Sequence, residues 1–153
     1  MRYWFYLACL FLSAGMLKAQ DCSNYLEEHC KPEQTKFKYQ VNGASTSFSI
    51  SSNEFWTLPL NLNENMDYRI SLCCDSIFEG VLLFVIKNED GKELYNNSGH
   101  LFQNECEFTS PKNQTVFFEV TAPQPTYIAS DTIYSEGCAA LLIEEMKTYP
   151  TGF

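Results

Sequence analysis

The sequence predicts an all-β fold: an antiparallel β-sandwich of about eight to nine short strands, carrying a short disulfide-linked N-terminal arm. Three observations predict it. From Lys36 onward apolar residues recur with period two rather than 3.6 almost throughout. Turn-forming clusters such as Asn42-Gly43 and Asn88 to Gly91 separate the short runs. Six cysteines follow an apolar leader, the pattern of an exported, disulfide-bonded domain.

The leader is "MRYWFYLACLFLSAGMLKAQ". Arg2 is a minimal basic region, Tyr3 to Met16 is nearly all apolar, and Leu17-Lys18-Ala19-Gln20 offers a small residue at which to cut. The run is short for a membrane span, and no basic stop-transfer cluster follows it. Residues 1–19 therefore read as a signal peptide, 20–35 as an N-terminal arm closed by Lys31-Pro32, and 36–153 as a single β-sandwich domain. The expected location is secreted or periplasmic, with no membrane insertion after cleavage. A chain of 153 residues fits one domain plus such processing sequence. Its net charge of -9 repels phosphate backbones, which argues against a nucleic-acid partner.

The strand candidates run in order. "KFKYQV" places Phe37, Tyr39 and Val41 on one side, and Asn42-Gly43 turns the chain into "TSFSIS". "EFWTLPLNL" carries Pro59, which confines it to a sheet edge or a bulge. "YRISLCC" alternates: Tyr68, Ile70, Leu72 and Cys74 share an apolar face, and Arg69, Ser71 and Cys73 share a polar one. "GVLLFVIK" is apolar on both faces, as in the middle of a sandwich. "KELYNN", "ECEFTS", "QTVFFEV" and "CAALLIEEM" complete the set, with a long loop from Thr121 to Gly137 before the last.

Six cysteines remain once Cys9 leaves with the leader: Cys22, Cys30, Cys73, Cys74, Cys106 and Cys138. An even number in an exported chain reads as disulfides. Neighbours in a strand face apart, so Cys73 and Cys74 take different partners. Cys74 and Cys106 both alternate inward, which favours Cys74–Cys106. Cys138 can face either way, Cys73–Cys138 is the natural second bridge, and Cys22–Cys30 is left. Zinc-site spacings are missing, and only His29 and His100 are present, so no metal is expected.

From Asn65 to Met146 the order "YRISLC", "DGKELY", "CEFT", "VFFEV" and a terminal "GC" before an aliphatic strand resembles the bacterial pre-peptidase C-terminal type of β-sandwich. It is similar to small stand-alone secreted bacterial proteins built on that sandwich. The resemblance implies a jelly-roll-like topology, with the Cys73 strand beside the Cys138 strand. It also implies an accessory binding role at the envelope, toward a protein or a glycan. Some members bind calcium, but Glu64 with Asp67 and Glu89 with Asp90 make no dense oxygen-ligand loop.

No nucleophile elbow, zinc-protease motif or phosphate loop occurs, and no cofactor is expected. His100 reads as a loop histidine without an oriented partner. Glu27-Glu28 and Glu144-Glu145 read as surface charge. The chain therefore reads as a non-catalytic binding module, the alternatives being a carbohydrate-binding accessory domain and an enzyme whose site carries no recognised motif. Aromatics make up 15% of it, enough to leave some beyond core needs. Tyr127 and Tyr134 on the long loop, and Trp56 on the Pro-marked strand, are the candidate ligand-binding residues. They would act by stacking on sugars or anchoring a protein, unless Trp56 belongs to the core.

Overall fold

The computed structural model describes residues 21–32, 36–78, 82–122 and 136–149. The expected signal peptide lies outside the described residues, as do Tyr127 and Tyr134. The elements are α1 (Tyr25–His29), β1 (Gln40–Val41), β2 (Thr46–Ser51), β3 (Phe55–Leu62), β4 (Met66–Cys74), β5 (Leu83–Asn88), β6 (Glu93–Asn96), β7 (Glu105–Ser110), β8 (Gln114–Thr121) and β9 (Glu136–Lys147). One sheet runs β1-β9-β4-β7 with β2 also on β9, and the other runs β3-β8-β5-β6. All pairings are antiparallel. Among the described residues, no helix is long and apolar enough to cross a membrane.

The core follows from alternation. Tyr68, Ile70 and Leu72 of β4 face Phe84 and Ile86 of β5 and Val116, Phe118 and Val120 of β8 in one buried cluster. Pro59 sits on β3, whose partner is β8, at the edge of its sheet. That is where a residue without an N–H is tolerated. The Asn88–Gly91 turn is built as its residues dictate. Gly91 takes φ +75°, and the Asn88 side chain accepts from Lys92 N–H at 2.8 Å.

The first strand is shorter than expected. β1 keeps only Gln40 and Val41, because Tyr39 leaves the ladder and lies over the Arg69 guanidinium, 4.5 Å from ring centroid to Cζ. Nor does Asn42-Gly43 make a hairpin. β1 and β2 both run along β9, joined by a turn in which Ser45 Oγ donates to the Ile143 carbonyl and accepts from its N–H, at 3.0 and 2.9 Å.

β9 is buried without a break from Gly137 to Glu144. Ala139, Leu141 and Ile143 point into the sandwich. Ala140 and Leu142 point the other way, into a second cluster with Cys30, Cys73, Tyr25 and Leu26. The arm therefore packs on the outer face of the β9 sheet.

This placement overturns the expected disulfides. The bridges are Cys22–Cys138 and Cys30–Cys73, with Cα separations of 5.4 and 5.8 Å. Cys22–Cys30 does not form, because α1 lies between them and each end is tied to a different strand. Cys73–Cys138 does not form either. Cys73 lies opposite Ala140, and Cys138 meets Asp75 through a 2.9 Å backbone bond. That leaves the two cysteines on a diagonal of about 7–8 Å, beyond sulfur reach. Cys74 and Cys106 both face the core as alternation requires, yet they are thiols. Cys106 lies opposite Ile70, four residues from Cys74, or about 13 Å along the strand.

Glu144 and Arg69 also depart from expectation. Both are buried, not surface charges, at 2% and 1% exposure. They face each other across β4 and β9 as a two-pronged pair, Nε to Oε2 at 2.8 Å and Nη2 to Oε1 at 3.0 Å.

Non-reducing peptide mapping should return Cys22–Cys138 and Cys30–Cys73, with Cys74 and Cys106 alkylated as thiols after unfolding. A Cys22–Cys30 peptide would reject this arrangement. Replacing Cys30 and Cys73 together by serine should lower the unfolding free energy by about 2–4 kcal/mol in a denaturant titration.

Candidate functional site

The two long sides of the sandwich differ. On one, the edge strands β2 and β3 are sealed by Phe48 stacked on Trp56, with centroids 3.8 Å apart and planes 3° apart. Trp56 also packs against the core. One face of its ring is thus already occupied within the fold, which is a structural use of the residue. On the other side, β6 and β7 are the outer strands of their sheets, and the segment from Asn97 to Asn104 crosses between them.

That crossing is tightly built. Asn97 is fully buried at the start of a 3-10 turn, Asn97–His100. Its Oδ1 accepts from Phe84 N–H at 3.0 Å and its Nδ2 donates to the Leu82 carbonyl at 2.8 Å, which anchors the segment to β5. Its own carbonyl accepts from Phe102 N–H at 2.9 Å. In front of it, Asn96 Oδ1 accepts from both Ser98 N–H and Ser98 Oγ. His100, read from the sequence as a loop histidine, stacks on Tyr95 at 4.9 Å.

At the apex Leu101 and Phe102 are consecutive residues with φ +57° and +55°. Bulky side chains avoid this left-handed region, at a cost of about 1–2 kcal/mol per residue. Leu101 is 91% exposed and Phe102 45% exposed. The chain thus spends backbone strain to present two apolar side chains to solvent. Such strain persists only where the surroundings over-determine it, and it clusters at functional sites.

Beside β6 and β7 a groove of about 380 Å³ opens between the sheets, lined among others by Leu62, Ile86, Leu94, Tyr95, Cys106 and Phe108. Leu94 is the extra residue of a bulge, since Ile86 pairs with Tyr95 and Lys87 with Glu93. The bulge turns Leu94 half outward. Burial pushes the Cys106 thiol up to about 12, helped by the charges of Glu105 and Glu107. Cys106 is therefore an unreactive wall residue. Among the described residues no group of His, Cys, Asp or Glu is placed to hold a metal ion.

The structure thus builds its exposed tip from Leu101 and Phe102, which the sequence did not single out. "GHLFQ" offered only an apolar pair after a Gly-His step, and nothing in it announced a left-handed apex. No protein-family model and no curated protein matches the chain. Nine solved chains match it in structure. One is PliG of Aeromonas hydrophila, a periplasmic lysozyme inhibitor of g-type lysozyme. The TM-score is 0.50 at 12% identity, over 75% of this chain and 94% of that one. At that identity the likeness is one of fold.

Two outcomes follow. Leu101→Gly should be more stable than Leu101→Ala by about 1 kcal/mol, because only glycine relieves the left-handed apex while both lose the same exposed side chain. Equal stabilities, measured by denaturant unfolding, would mean that the apex is not strained. The second outcome concerns alkaline pH. Cys106 is raised from 9.0 to about 12 and Tyr25 from 10.0 to about 12, so the folded state holds protons that the unfolded chain releases. Stability is then full below pH 9 and falls as pH climbs toward 12. The Cys106→Ala variant should fall less steeply from pH 9 upward, in unfolding midpoints taken across that range.

Proposed function

We propose that this chain is an exported, non-catalytic module that binds a protein partner through the Leu101–Phe102 tip. One observation carries the reading: two bulky apolar residues, held in left-handed backbone by a buried asparagine, stand in solvent at the end of an anchored crossing. A rigid apolar tip suits recognition, because little conformational freedom is lost on binding and the apolar area is ready to be buried. Export is supported by the two disulfides, which persist in oxidising compartments. The pre-peptidase C-terminal resemblance remains part of this proposal, since an accessory sandwich of that type would serve the same role.

The partner class we put forward is a cell-wall-cleaving hydrolase. The support is the fold shared with PliG, an inhibitor of g-type lysozyme, together with the exposed apolar tip. The glycan alternative has less support, because Trp56 is stacked on Phe48.

The test titrates the purified chain into a g-type lysozyme clearing a suspension of bacterial cells. Clearing should slow in proportion to added protein, and Leu101→Asp with Phe102→Asp should weaken the effect by at least about tenfold, the size of one lost anchor. Unchanged clearing at saturating protein would remove the hydrolase class. Slowing that survives the double variant would remove the tip.

A further inference from the structure

We infer that the edge of β7, which no strand covers among the described residues, is a second binding site with the groove behind it, and that it takes an extended, alternating basic and apolar segment of a partner protein as an added strand. β7 pairs with β4 on one side, and β4 bonds onward to β9. The 2.7 Å bond from Leu72 N–H to the Asn104 carbonyl sets the phase of the β4–β7 ladder. Residues Asn104, Cys106 and Phe108 turn their backbone groups toward β4, so Glu105, Glu107 and Thr109 turn theirs outward. These are the groups on which a strand adds.

The two faces of the added strand would meet different chemistry. On the inner face, Cys106 and Phe108 continue into the apolar groove, whose far wall is Leu94 on its bulge. On the outer face, Glu105 and Glu107 are exposed, and Asp67 accepts from Thr109 Oγ1 beside them. Arg69 reaches Glu107 at 3.9 Å and Ser71 Oγ donates to Glu105 at 3.1 Å, so this face stays acidic on balance. An arriving strand matches it with apolar residues inward and basic residues outward, at period two.

A second copy of the chain fits poorly. An antiparallel β7–β7 pairing centred on Cys106 or Glu107 sets glutamate directly against glutamate, which is unfavourable. The -9 net charge adds to that repulsion and favours a cationic partner. A segment docked here would close the open side of the sandwich as Phe48 and Trp56 close the other.

The test uses the whole chain and two synthetic peptides, one alternating lysine and valine, the other alternating glutamate and valine. The lysine peptide should bind, and amide hydrogen exchange at Glu105, Glu107 and Thr109 should slow on binding. Glu105→Lys with Glu107→Lys, and separately Leu94→Asp, should each weaken it by about tenfold or more, one variant testing charge and the other the groove. Both sets of residues are exposed, and circular dichroism checks that the variants fold. The idea fails if the lysine peptide does not bind, if it binds without slowing those amides, or if the glutamate peptide binds as well. Slowed exchange in the chain alone, tied to a dimer in sedimentation, would assign the edge to a second copy and overturn the proposal. The tip reading is tested with lysozyme and no peptide, so either can fail alone.

Discussion

The constraint on which the rest depends is that β9 is buried on both faces over Gly137 to Glu144. A sandwich covers one face of a sheet and leaves the other to solvent. Here the outer side of β9 carries Cys138, Ala140, Leu142 and Glu144, and three of these four cannot profitably face water. Something must lie over them. The arm does so, but a helix of five residues has no stability of its own. Each end of α1 is therefore fastened covalently, Cys22 to β9 and Cys30 to β4. Asp75 adds a polar tie, accepting from Cys138 N–H at 2.7 Å, while burial first and the Asp75 charge second hold the Tyr25 hydroxyl protonated.

Farther along the same face the cover changes character. Arg69 lies against the Tyr39 ring, and Arg69 and Glu144 are out of water and bonded to each other. A buried pair of this kind contributes little net stability compared with apolar residues of the same shape. Its effect is on register. A slip of β9 by one residue against β4 would turn the Glu144 carboxylate into the apolar sandwich and set Arg69 opposite Ile143 or Glu145 instead. The small residues Ala139 and Ala140 discriminate registers weakly, so the ion pair supplies specificity that the apolar part of β9 lacks.

The sequence was a good guide to whatever depends on alternation alone. Every one of the nine runs holds a strand, the inward face of β4 is the one read from Tyr68, Ile70 and Leu72, and Pro59 marks an edge. It was a poor guide to whatever depends on a third layer. Alternation says that Cys73 faces outward but not what lies outside, so the arm's part in both disulfides was invisible. The same holds for Glu144, which reads as surface charge until Arg69, with Tyr39 over it, is placed against it. The tip was less legible still. A left-handed φ at Leu101 accompanies the hydrogen bonds of Asn97, and those join Leu82 and Phe84, at the start of β5, to a residue beyond β6.

The molecule is thus asymmetric in how its sides are finished. The β2–β3 side is plugged by stacked rings, and the arm is bolted across the outer sheet. The β6–β7 side keeps a strained tip, a bulge and an apolar groove. These features oppose stability, and they survive because the rest of the sandwich is over-determined. Asn97 shows how the two halves are joined. It satisfies the Phe84 N–H and the Leu82 carbonyl, which the core needs, and its own backbone carbonyl holds Phe102 in the strained turn. Relaxing the tip would pull Asn97 from its partners and leave buried polar groups unsatisfied, at about 1–3 kcal/mol each. That exceeds or matches the strain at the apex, so the exposed conformation is the stable one before any partner arrives.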